Sequence, residues 1–83
     1  VSDTNEVVDL EKVDFKELAT LANEPILKFF SFAHLPSPGR EMSQHFAAVA
    51  YAVYRDAPRS AERAAGLRKL LEAKDCCVRS VLP

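Results

Sequence analysis

Two amphipathic stretches, each long enough for a full helix, follow one another in this 83-residue chain with only Ala57, Pro58 and Arg59 between them. A connection that short forces consecutive helices to fold back antiparallel. Upstream, His34-Leu-Pro-Ser-Pro-Gly39 carries two prolines and a glycine and reads as a loop. Ser37 suits an N-cap and Pro38 the first helical position, so the first long helix is expected over residues 38–56. Met42, Phe46, Val49 and Val53 recur at helical spacing and predict its core stripe. Ala47, Ala48, Ala50 and Ala52 surround that stripe and let a partner approach closely. Ser60 caps the second long helix, whose apolar stripe is expected to be Ala64, Leu67, Leu71, Val78 and Val81, widened by Leu70. Gly66 costs that helix up to about 1 kcal/mol relative to alanine. Either another backbone or a ligand comes close there, or a small residue simply suffices.

The N-terminal part is less regular. Residues 1–13 have no clean periodicity and are expected to be a flexible acidic tail. Asp14 is placed to cap a short helix over residues 15–23, with Phe15, Leu18, Ala19 and Ala22 on one face and Glu17 completing the capping pattern. The apolar run 26–32 has no assignable period and no second strand to pair with. It is therefore read as a helical or extended segment laid across a neighbour. The expectation is an all-α chain: a tail over 1–13, an arm with a short helix over 14–36, and an antiparallel helical hairpin over 37–83.

A single core in a chain of this length supplies only roughly 3–5 kcal/mol. Yet 48% of the residues are hydrophobic, so apolar faces are expected to be buried between copies in a homo-oligomer. No run of ~18 apolar residues suggests a membrane partner. The acidic start, Val1-Ser-Asp-Thr-Asn-Glu6, does not resemble a secretory signal. Cys76 and Cys77 are adjacent on a predicted helix, where they point roughly 100° apart and cannot easily bridge. Reduced thiols and a cytoplasmic location follow as expectations. No His/Cys spacing resembles a zinc site, and no cofactor is expected.

The net charge of −1 is unevenly spread. Residues 1–35 carry seven acids against three lysines, whereas residues 36–83 carry eight bases against five acids. A duplex binder shows a stronger basic excess than this second part has. Its +3 balance suits a small anion better than a long nucleic acid. Arg55, Arg59 and Arg63 recur every four residues across Pro58. A turn there folds them around a helix N-terminus, where unpaired N–H groups and the macrodipole favour a phosphate. The alternative is that they are solvated or paired with Asp56 and Glu62.

Catalytic residues are not legible. No motif marks a nucleophile, a phosphate loop or a metal, and the chain is not expected to be an enzyme. His45, beside Phe46, is read as a surface or interface residue. His34 either ties down its loop or acts as a base. Tyr51 and Tyr54 either pack between chains or offer a ring to a nucleobase, with Tyr54 next to Arg55.

The segment Pro58-Arg-Ser-Ala-Glu-Arg-Ala-Ala-Gly-Leu-Arg-Lys-Leu-Leu-Glu-Ala-Lys-Asp-Cys-Cys-Val-Arg79 resembles the hairpin domain of small phage proteins that defeat CBASS defence. Phe30-Ser-Phe-Ala-His-Leu-Pro36 and Met42-Ser-Gln-His-Phe46 resemble related short phage proteins, so the likeness covers roughly residues 30–82. It implies a short N-terminal helix, two long antiparallel helices and a hexamer that traps cyclic oligonucleotide messengers without degrading them. A sister family that blocks Thoeris signalling uses the same hairpin to trap cyclic ADP-ribose isomers. Arg63 and Lys69 match the family pattern Arg-x-x-Ala-Leu-x-Lys, with Gly66-Leu67 at the Ala-Leu step. The arm offers Phe29, Phe30, Phe32 and Lys28 but no tyrosine.

Residue chemistry and resemblance together give the expected ligand residues: Arg63, Arg59, Lys69, Arg55, Tyr54 and His34. The expected partner is a cyclic di- or trinucleotide, or a cyclic ADP-ribose-type ligand, in the cytoplasm of an infected bacterium. Symmetry would present one arginine to each phosphate. Two other classes compete with this reading: a helical module that binds a host or phage protein, and a weak nucleic-acid binder.

Overall fold

The computed structural model describes residues 8–83, and every regular element among the described residues is helical, without a strand. In chain order they form a 3-10 turn (Leu10–Lys12), helix α1 (Phe15–Ala22), a 3-10 segment (Pro25–Phe30), and the long helices α2 (Gly39–Asp56) and α3 (Ala61–Ser80). Residues 1–7 of the expected tail lie outside the described residues. The rest of that tail differs from expectation. Asp9 accepts a hydrogen bond from the Glu11 N–H, and Leu10 and Val13 pack against the core. Two apolar side chains three residues apart are enough to hold one turn down, and too few to show as a period.

Local chemistry sets the helix limits. Asp14 caps α1 by accepting from the Glu17 N–H at 3.1 Å, and Asn23 ends it in the left-handed region at φ 53°. Asparagine tolerates that conformation better than most residues. Glu24-Pro25 then restarts the chain as a 3-10 segment with proline in its first turn. Ser60 caps α3 by accepting from the Arg63 N–H at 3.0 Å. Ser37 was expected to cap α2 and does not: its hydroxyl donates to the Glu41 carboxylate at 2.7 Å, and no side chain caps that helix. Glu41 titrates below its ordinary range, first because of that hydroxyl and then because of a backbone hydrogen bond.

The core sits on the segment with no readable period. Leu27, Phe30 and Phe32 are fully buried, with Phe15 and Ala19 from α1 and Leu67 from α3. Burying one such side chain contributes about 1.5–3 kcal/mol. Because the arm supplies the bulk, α2 meets it with small residues. Its buried positions are Gly39, Ser43, Ala47 and Ala50. The expected α2 stripe is thus rotated: Phe46 and Val53 flank the core, and Val49 is 47% exposed. Gly39 lies beside the far end of α3, since a Cβ there would stand 3.6 Å from Val78 Cγ1 and 3.8 Å from Leu82 Cδ2. The α3 stripe agrees better with expectation, with Leu67 buried and Leu70, Leu71, Val78 and Val81 partly covered.

Two polar ties fix the arm on α3. Arg63 meets Glu24, just before the 3-10 segment, and Lys74 Nζ donates to the Phe29 carbonyl at 3.0 Å, near its end. Both sequences advance together, so the segment runs along α3 in the same direction.

Candidate ligand site

Arg63 occupies the first turn of α3, four residues before Leu67 and on the same buried side. Its Nε donates to Glu24 Oε1 at 3.1 Å, and its Nη1 donates to the Ala57 carbonyl at 2.7 Å. The two side chains are only 7% and 8% exposed. Sequence reasoning placed Arg63 at an open anion site or paired it with Glu62 or Asp56. The structure turns it inward, to a carboxylate 39 residues away. A buried guanidinium must be paired, and Glu24 is the acid the fold brings to it. The signal for a buried partner was present: an arginine at a stripe position asks for an acid elsewhere in the core.

The other two arginines of the series do not join it. Arg55 makes a two-point contact with Asp56, Nε to Oδ1 at 2.7 Å and Nη2 to Oδ2 at 2.8 Å, on the surface. That guanidinium holds the Asp56 carboxyl below its usual range, chiefly through the hydrogen bond. Arg59 is exposed and lines an open cleft of about 540 Å³ with Asn23, Glu24, Ser60, Ala61 and Ala64. The cleft lies between the end of α1 and the first turn of α3. Here a helix N-terminus and one outward guanidinium stand together, an arrangement suited to an oxyanion. Glu24 also lines it, with its charge matched by Arg63 behind.

Lys69 is exposed on α3, off the buried stripe. Tyr54 is half-buried and packs against Tyr51, with ring centroids 5.9 Å apart at 46°. His34 is exposed and lines a different groove of about 380 Å³, with Lys16, Lys28, Phe29 and Ser31. His45 is exposed on α2. The six residues singled out from the sequence therefore do not converge within one chain. Arg59 and His34 line hollows with no residue in common, and Arg63 is committed to the core.

Among the described residues no three His, Cys, Asp or Glu side chains gather as ligands for a metal ion. Cys76 and Cys77 are free thiols, with Arg79 Nη2 3.5 Å from the Cys76 sulfur. Among the described residues no helix is long and apolar enough to cross a membrane. No protein-family model matches the chain, and comparison with curated proteins and with solved structures returns no match. The class defined by the fold is therefore a small all-helical protein with two long helices and a short-helix arm.

Proposed function

We propose that this chain binds and sequesters cyclic oligonucleotide messengers, or a related cyclic ADP-ribose-type ligand, and so blocks bacterial anti-phage signalling without cleaving them. In this reading α2 and α3 form the antiparallel hairpin of the phage family that residues 30–82 resemble. Several copies, six by that resemblance, assemble in the cytoplasm of the infected cell. The observation that carries the reading is the α3 cleft, where Arg59 stands beside the first turn of a long helix. In a symmetric oligomer each copy presents that pair to one phosphate of a ligand with repeated phosphates. Arg59, rather than Arg63, is the phosphate contact, because Arg63 would have to abandon Glu24 and Ala57 to reach a ligand. Leu21 and Leu82 lie outside the core of the single chain, at 69% and 48% exposure, and supply apolar area for association.

The test combines sedimentation with thermal unfolding in the presence of cyclic di- and trinucleotides and cyclic ADP-ribose. A ligand that binds only the folded state adds about 2.7 kcal/mol at 100 times its Kd. The expected result is an oligomer whose melting temperature rises with one of these ligands, and mass spectrometry should recover that ligand intact. A folded monomer indifferent to all of them would sink the reading. The same exposed apolar side chains would then favour a module that binds another protein.

A further inference from the structure

The groove between α1 and the end of the 3-10 segment has a charge and shape that the α3 cleft does not explain. Its lining is Lys16, Lys28, Phe29, Ser31 and His34. Among the described residues no carboxylate lines this groove. Lys16, Lys28 and His34 have no carboxylate partner among the described residues. In their midst stands Phe29, whose neighbours in the 3-10 segment, Leu27 and Phe30, are fully buried while Phe29 itself is 52% exposed. Its backbone is held by Lys74 through the carbonyl, and Lys28 Nζ lies 5.2 Å from its ring centroid. An aromatic ring kept at the surface on a fixed backbone is a stacking platform on the face opposite Lys28, and the Lys28 cation over its first face favours an anionic partner.

We infer that this groove is a second binding site, for a nucleoside phosphate, with the base stacked on Phe29 and the phosphate held by Lys16 and Lys28. The volume of about 380 Å³ is within the roughly 300–1,000 Å³ of small-ligand sites. The orientation follows from what lies next door. Beyond Ser31 and His34 the adjoining hollow is lined by Glu11 and Asp14, which repel a phosphate. On the other side Lys16 and Lys28 also line the hollow that continues toward Thr20 and Asn23, so the positive end is there. His34 and Ser31 are left to hydrogen-bond the sugar or the base edge. The site is separate from the α3 cleft, and it stands on the arm's own side chains rather than on the messenger proposed above.

Adenosine monophosphate, adenosine and inorganic phosphate are the probes, followed by amide chemical shifts on the isotope-labelled full chain. The monophosphate is expected to move the amides of Lys16, Lys28, Phe29, Ser31 and His34, and to bind at least about tenfold more tightly than either half. Phe29→Ala changes a half-exposed side chain and should leave the fold intact. It should reduce the affinity for the monophosphate to near that of inorganic phosphate, whereas Lys16→Gln with Lys28→Gln should reduce it to near that of adenosine. Monophosphate binding no tighter than phosphate alone, or shifts confined to the Arg59 cleft, would overturn the assignment. A cyclic messenger whose binding falls in Arg59→Gln, with no groove shifts from the monophosphate, would leave the α3 reading standing and remove this one.

Discussion

The arm and the long helices divide the work of this fold unequally. The 3-10 segment Pro25–Phe30 and the residues just after it bury three large side chains completely, Leu27, Phe30 and Phe32. Helix α2 is three times as long and buries only Gly39, Ser43, Ala47 and Ala50. Regular periodic helices thus form the frame, and an irregular segment fills it. A short element can dominate a core when its neighbours are small, because packing depends on the volume delivered between backbones and not on element length.

The largest test of that contrast sets Phe30 against Val49. Phe30→Ala should cost about 3–5 kcal/mol in denaturant unfolding, and Val49→Ala less than about 0.5 kcal/mol. Equal losses would show that Val49 is covered by another copy in solution, and the contrast would then belong to the isolated chain only.

Next in size is the tie between the two regions. Glu24→Ala leaves the Arg63 guanidinium buried without its acid and should cost about 3 kcal/mol, the low end for a broken buried pair. Replacing both partners, Glu24→Leu with Arg63→Met, should recover most of that loss. A Glu24→Ala protein as stable as the wild type would show the pair to be incidental. Arg63→Ala belongs to the same set: weaker ligand binding in that variant has to be read beside its unfolding curve before it says anything about a phosphate.

A smaller effect, of opposite sign, is expected on the outer face of α3. A Cβ on Gly66 meets no heavy atom within 4 Å. Gly66→Ala should therefore stabilise the single chain by about 0.5–1 kcal/mol. A loss instead would place a second backbone against this face. The smallest effect concerns Glu41, whose titration should move up toward the ordinary carboxylate range in Ser37→Ala when followed by NMR. With its folded value lowered, Glu41 favours the folded state above its unfolded value, and that preference fades as pH falls through the folded one. An unchanged titration in Ser37→Ala would mean that the hydroxyl has no hold on it.

The helix limits were legible because they rest on short-range chemistry. Asp14 and Ser60 cap where their positions predicted, and Pro58 separates the long helices. Ser37 misled because a competing acceptor, Glu41, stands four residues on. The face of α2 was not legible: its apolar residues predicted one stripe, but bulk supplied from the arm selected the alanines instead. The partner of Arg63 was hidden by the 39 residues between it and Glu24, a distance that no local pattern spans. Of the expected ligand residues, Arg59 and His34 were each placed beside a hollow; Phe29 and Lys28 were visible in the arm, but that Lys16 joins them emerged only once the chain had folded.

The Arg63 guanidinium also has a mechanical meaning. By bonding the Ala57 carbonyl and the Glu24 carboxylate at once, it works as a splint across the corner between α2 and α3. A corner held that way cannot swivel or lengthen without pulling on the arm. The angle at which Arg59 faces its cleft is thus set by a residue that need never touch the cleft's contents.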